Sequence, residues 1–286
     1  MIHTSLARVS AATLFLAGCW LAYTQTQPKQ PPALTMNKIK DDLYEIVGDG
    51  GNVAVYVTSE GVILVDDKFE QDYEGIQAKV KSVTSLPVKY VLSTHHHSDH
   101  SGGNTKFISS AEIISTVNAR ANIVGHKQPN APEMVPARVT FTDQCSVFLG
   151  AKEVRAYYFG RGHTNGDAVI YFPELRVLHT GDLMANASPL IDYAGGGSIV
   201  EWTKTLDNAL KLDFDTVIPG HGNVTDKAGL LTYRNNVEKL RNRAAGLVKQ
   251  GKSQAEIAQV MQAEYGWGPN SLQVQWSIPG MMAELK

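Results

Sequence analysis

Beyond residue 40 the chain sets short apolar runs between glycine-marked turns. Leu43–Val47, Val53–Val57 and Val62–Val65 are apolar or alternating, and Gly48, Gly50-Gly51 and Ser59-Glu60-Gly61 separate them. That pattern predicts a meander of strands joined by tight turns. A helix follows near residues 73–84, where Ile76, Val80 and Val83 share one face. Residues 89–94 read as a buried strand that ends in a histidine cluster. Gly102-Gly103-Asn104 then turns into a short helix, and residues 112–117 predict another strand. Segment 120–137 carries Pro129, Pro132 and Pro136 and predicts a loop at a rim rather than continuous structure.

From residue 138 strands dominate again, at 154–159, 168–172 and 177–180, followed by a loop over 186–197 that closes in Gly195-Gly196-Gly197. Ser198-x-x-Glu201 is a capping box, so a helix is expected over 199–212. Thr216–Ile218 predicts a short strand. Asp226 can cap a helix ending near Gly251, and Ser253-x-x-Glu256 caps another. No internal repeat of usable period occurs. Strands then helix, twice over, predicts two similar halves in the α/β class, with two packed sheets and helices outside. The main domain is expected over 37–225, with a helical extension over 226–286 packed on it.

Composition adds little to this picture except at the N-terminus. The 286 residues are 43% hydrophobic and 19% charged, an ordinary globular balance. The formal net charge of −2 argues against nucleic acid as a partner. At the start, Arg8 precedes the apolar run from Ala11 to Cys19, which is short for a bilayer span but suits a signal peptide. Leu16-Ala17-Gly18-Cys19 resembles a bacterial lipobox. Residues 1–19 are therefore expected to be a signal peptide and 20–36 a polar, Pro-rich tether. The protein is expected to be exported to the periplasm, touching the membrane only through a lipid on Cys19. If Cys19 is lipidated, Cys145 stands alone and no internal disulfide forms. Cys145 itself reads as a small buried hydrophobe.

The candidate chemistry lies in seven side chains. His95, His97, Asp99 and His100 form one cluster, and His163, Asp182 and His221 follow, each in a glycine-flanked turn. Imidazole suits zinc, and a carboxylate can bridge two cations. His95 and His97, at i and i+2, point to the same side and reach one ion. His163 completes that three-His set. Asp99 and His100 come after the backbone has turned and face a second ion with His221, while Asp182 can bridge the two. Three protein ligands with an open position are what catalytic zinc needs, whereas structural zinc is closed by four, usually including Cys. Zinc lowers the pKa of bound water to about 7, which supplies a nucleophile at neutral pH. Asp99 is the candidate catalytic residue, binding the second ion and orienting that nucleophile. His96 is expected to point away from the metals, His179 to pack within a strand, and Asp167 to serve turn chemistry. His3 and His126 carry no signal, and Trp202, Trp267 and Trp276 read as core or surface aromatics.

His95-x-His97-x-Asp99-His100, with His163, Asp182 and His221 behind it, resembles the motif set of the metallo-β-lactamase superfamily over residues 39–225. The resemblance implies a four-layer αββα sandwich with a pair of zinc ions at one edge of the sheets. It also implies that Asp66 is an acid that orients the ligands. The zinc β-lactamases with a Cys ligand would place it where Asp182 stands, so this set looks more like glyoxalase II or the acyl-homoserine lactonases. The lactonases carry a catalytic Tyr three residues after this Asp. Ala185 occupies that place here, and Tyr193 is a candidate substitute.

A glutathione thioester substrate would call for basic residues such as Arg234, Lys239, Arg241 and Arg243, although that density on a helix is more often a solvated face. Export weakens this reading, since glutathione is mainly intracellular. The expected function is a dinuclear zinc hydrolase that opens a lactam or lactone ring, with a small-molecule substrate bearing a scissile carbonyl. The rivals are a thioester hydrolase like glyoxalase II and, with Fe in place of zinc, a persulfide dioxygenase.

Overall fold

The computed structural model describes residues 33–125, 133–185 and 188–286. The expected leader, Cys19 and nearly all of the tether lie outside them, as does His126. The strands run β1 Thr35–Lys40, β2 Leu43–Val47, β3 Val53–Val57, β4 Val62–Val65, β5 Val88–Leu92, β6 Glu112–Thr116 and β7 Val139–Phe141, then β8 Gln144–Leu149, β9 Lys152–Tyr158, β10 Ala168–Phe172, β11 Val177–His179, β12 Thr216–Ile218 and β13 Thr225–Asp226. The helices are α1 Tyr73–Lys81, α2 Ser98–Ser101, α3 Asn104–Phe107, α4 Val117–Gly125, α5 Ile199–Ala209, α6 Lys227–Lys249, α7 Gln254–Tyr265 and α8 Ile278–Glu284.

Strands β1 to β7 form one sheet in sequence order, and the second sheet runs β13-β12-β11-β10-β9-β8. The alternation of side chains decides which layer each residue joins. On β2 to β5, Leu43, Ala54, Tyr56, Ile63, Val65 and Leu92 face inward and meet Val154, Ala156, Ile170, Phe172, Val177 and Ile218 of the other sheet. Their neighbours Ile46, Val53, Val55 and Leu64 face outward under Ile76 and Val80 of α1 and Phe107 of α3. On the far side, Val169, Tyr171, Leu178 and Val217 pack beneath Trp202 and Leu206 of α5 and Leu230, Val237 and Leu240 of α6. Helix, sheet, sheet, helix is the αββα sandwich expected. The helices after residue 226 are part of this last core, since Ile257, Met261, Trp267, Ile278 and Met281 share it.

Three elements differ from the sequence reading. The segment read as loop from residue 120 begins inside α4, which occupies 117–125 and ends before the first of the prolines. Thr116 starts it, its hydroxyl accepting from Ala119 N at 3.0 Å and donating to Gly166 O at 2.8 Å. Residues 35 and 36, placed in the tether, open β1, a polar strand held by pairing with β2 at the sheet's edge, where charged side chains discourage further pairing. Helix α5 ends at Ala209 rather than 212. Its Ser198 cap accepts from Glu201 N, but the Glu201 side chain turns to Arg161 instead of closing the box.

Trp202 has no exposed surface, and its Nε1 donates to Leu183 O at 3.1 Å. Removing a buried indole of this kind costs about 3–5 kcal/mol. Trp202→Ala is therefore expected to lose that much in urea denaturation, and a loss under about 1 kcal/mol would contradict this packing.

Candidate metal centre

The strand ends along one edge of both sheets deliver the site. Asp66 directly follows β4, and its φ of 61° is left-handed, a costly conformation for a non-glycine residue. Its carboxylate accepts from Thr94 N at 2.7 Å and Thr94 Oγ1 at 2.8 Å, and lies 2.8 Å from His100 Nδ1. Those contacts fix the segment after β5 that carries the histidine cluster. The turn bearing His163 follows β9 and is held by Asp167, which accepts from Thr164 N at 2.9 Å. Asp182 lies in a short turn after β11, and His221 follows β12. Any side chain at Gly220 would run into the Asp182 carboxylate, and one at Gly51 into the His100 ring.

The geometry brings all seven candidate ligands together in two adjoining groups. One ligand atom from each of His95, His97 and His163 lies within a 4.8 Å span, and so does one from each of Asp99, His100 and His221. In the first group His97 Nδ1 is 2.9 Å from His163 Nε2. In the second, His221 Nε2 is 3.2 Å from Asp99 Oδ2 and from His100 Nε2. Asp182 stands between, with Oδ2 3.6 Å from His163 Nε2 and Oδ1 3.2 Å from His100 Nε2. The donors fit divalent cations such as zinc. His95 Nε2 is buried without a hydrogen-bond partner, a costly arrangement unless that nitrogen serves another purpose.

Burial and charge prepare these groups differently. Burial, reinforced by the neighbouring imidazoles, pushes His95 well below the usual histidine range, and burial lowers His163 to about 4. Both are neutral at pH 7, the form that ligates a metal. Burial works against the Asp99 carboxylate, but the charge on His100 and the hydrogen bond from His221 outweigh it and hold it at about 2. His100 is also buried, yet Asp182, Asp99 and Asp66 around it raise it well above its ordinary value.

Several residues behind the ligands went unread in the sequence. Asp192, in the loop before α5, accepts from His97 Nε2 at 2.9 Å and so directs Nδ1 into the site. His96 points away from the two groups, as expected, with Nε2 3.6 Å from the same carboxylate and Nδ1 3.3 Å from Asn122 Nδ2. His179 is a structural link: Nε2 donates to Asn52 O at 3.1 Å and Nδ1 accepts from Gly181 N at 3.2 Å. Tyr193 does not replace the lactonase tyrosine, because its hydroxyl donates to Glu284 at 2.7 Å within the C-terminal helices. Trp276 is the surprise among the aromatics, its ring centroid lying 5.9 Å from that of His97. Arg234, Arg241 and Arg243 pair with Asp207, Glu238 and Glu264 within and between the helices, and the first two are largely buried.

The sequence model of the metallo-beta-lactamase superfamily matches residues 46–221, and the chain belongs to that superfamily. It is a metal-dependent hydrolase of β-lactamase-like type. The chain is similar to the metallo-beta-lactamase type 2 of Elizabethkingia meningoseptica, 26% identical over 71% of this chain and 84% of that protein. It is also similar to the metallo-beta-lactamase IND-1 of Chryseobacterium indologenes, 29% identical over 59% and 71%. Among solved structures, DIM-1 metallo-beta-lactamase superposes with a TM-score of 0.64 at 22% identity, covering 74% of this chain and all of that one. FIM-1 from Pseudomonas aeruginosa, in its mono-zinc form, gives 0.64 at 17% identity, covering 74% and 98%. These structural matches establish the fold.

The raised His100 pKa leaves its imidazole protonated at pH 7 before metal enters, and a ligating imidazole must lose that proton. Metal uptake is therefore expected to release a proton, read by calorimetry in buffers of different ionisation enthalpy. A measured enthalpy independent of the buffer would refute this charge state.

Proposed function

We propose that this chain hydrolyses the amide of a β-lactam ring with two zinc ions, one held by His95, His97 and His163 and the other by Asp99, His100 and His221, with Asp182 between them. The observation that carries the reading is the pair of adjoining three-donor groups, joined by one carboxylate, at the edge of a hydrolase fold. The sequence relatives named as metallo-beta-lactamases support the choice of ring. Bound zinc supplies a water acidified to about pKa 7 and a Lewis acid for the carbonyl oxygen.

The chain's own residues do the rest. His95 and His163, neutral at pH 7, offer lone pairs without first losing a proton. Asp192 holds the His97 ring in one orientation. Asp99, a quarter exposed and held ionised by His100 and His221, is the carboxylate that orients the attacking water. Trp276 forms an apolar wall beside His97 against which the substrate's non-reacting part lies.

Replacing Asp99 or His163 by Ala is expected to lower kcat/KM at least about 100-fold, roughly 2.7 kcal/mol of barrier, while the circular dichroism spectrum stays that of the parent. A panel of β-lactams, lactones, thioesters and phosphodiesters, run with metal analysis of protein purified without added metal, selects the substrate class. Two zinc ions and β-lactam turnover are expected. One iron with oxygen uptake would replace this reading by dioxygenation.

We further propose export and lipid attachment at Cys19, carried by the lipobox-like sequence Leu16-Ala17-Gly18-Cys19. Among the described residues no helix is long and apolar enough to cross a membrane. Cells fed a labelled fatty acid are expected to label the protein, and Cys19→Ser to abolish that label; equal labelling of both would refute attachment there.

A further inference from the structure

Beside His221 a cleft of about 560 Å3 opens between the first two strands and the turn after β12, lined among others by Ile39, Glu45, Val47, Asn52, His221 and Val224. It is continuous with the metal-ligand cluster through His221, and its volume is that of a small-molecule subsite. Glu45 lies on the same face of β2 as Leu43 and Val47, because alternate residues share a face. It is only 3% exposed, yet its Oε1 has no hydrogen-bond partner. Leaving a buried carboxyl oxygen unpartnered costs free energy unless a donor arrives with a ligand.

The cation that acts on Glu45 does not fill that role. Lys68, itself buried, gives its ammonium protons to Asp49 O at 2.8 Å and Gly51 O at 2.6 Å, fastening the loop between β2 and β3. Four carboxylates, Asp72, Asp49, Asp99 and Glu45, act on this one ammonium. Burial raises the Glu45 pKa, against an opposing hydrogen bond from Asn37 and the Lys68 charge. A second cation entering the cleft would relieve the burial penalty and satisfy the open oxygen, since an ammonium offers three donors and charge-assisted bonds are the strong ones.

We propose that this cleft recognises a protonated amine on the substrate, with the Glu45 carboxylate as its acceptor, while the scissile carbonyl lies at the metal ligands. The proposal rests on the β-lactam reading only for the identity of the scissile ring. A penam with an α-aminobenzyl side chain and its benzyl counterpart differ by that one amine. Assayed with the zinc-loaded full chain at a pH below the amine's pKa, the amine-bearing penam is expected to have the higher kcat/KM. Glu45→Gln, close in shape, is expected to reduce that preference about tenfold, the worth of one charge-assisted hydrogen bond. Asn223→Trp, at an exposed position at the cleft mouth, is expected to reduce it too, without altering a buried group.

An independent readout uses benzylamine against benzyl alcohol, followed by ligand-observed NMR. Benzylamine is expected to bind the parent and to lose binding in Glu45→Gln. If neither penam is turned over but benzylamine binding depends on Glu45, the β-lactam reading falls and the amine subsite stands. An amine preference or benzylamine binding that survives unchanged in Glu45→Gln overturns the subsite, as does their absence from the parent.

Discussion

The site depends on the buried Asp66 carboxylate, which carries the end of β4 across to the segment that follows β5. Both its oxygens are used, on the backbone and hydroxyl of Thr94 and on the His100 ring. Asp66 and Lys68 are both buried with left-handed backbones, so the chain makes an unfavourable turn here. The contacts around it hold that turn in place. His95, His97, Asp99 and His100 all follow within a few residues of Thr94, and so inherit their positions from one clamp. A charged group in the interior is tolerable only when its hydrogen-bonding capacity is met, and here the same bonds that meet it also fix His100.

Asn52 does the corresponding work between the two sheets. Its backbone N donates to Gly220 O at 2.7 Å, and its side-chain amide reaches Pro219 O at 3.0 Å and Gly222 O at 2.8 Å. With His179 donating to Asn52 O, the loop between β2 and β3 is bound to the turns carrying Asp182 and His221. Gly51 and Gly220 let these backbones approach the ligands directly. The two sheets thus meet at the site through polar bonds, while away from it they meet through an apolar core with Lys152 reaching Val57 O and Lys40 reaching Leu175 O at its margins.

The fold was legible because its strands are buried on one or both faces, and period-two or continuous apolar runs follow from that. The ligands were legible because histidines and aspartates in glycine turns leave a local signature. What the sequence hid was long-range. Asp192 reaches back 95 residues to His97, and nothing in Ile191-Asp192-Tyr193 marks it. Trp276 reads as one more aromatic until the fold brings it against His97. Strand β1 is polar and acquires its structure from its partner, so periodicity could not announce it. Helix α4 was concealed by prolines that lie just beyond its end. The sequence relatives described above are named metallo-beta-lactamases, while Asp182 makes the ligand set resemble that of glyoxalase II and the lactonases, so kinship at the level of the superfamily was legible and the subgroup was not.

Glu284, at the end of α8, has a role out of proportion to its place. Its carboxylate accepts from the Ser198 hydroxyl, from Ile199 N at 3.1 Å and from Tyr193, fastening the segment that also holds Asp192. A growing polypeptide leaves the ribosome from its N-terminal end, so every ligand is synthesised before the residue that steadies the loop orienting His97. The nascent chain therefore carries its complete set of metal-binding side chains well before it has a finished centre. The geometry of the centre thus depends on a helix that lies beyond all of its ligands in the sequence.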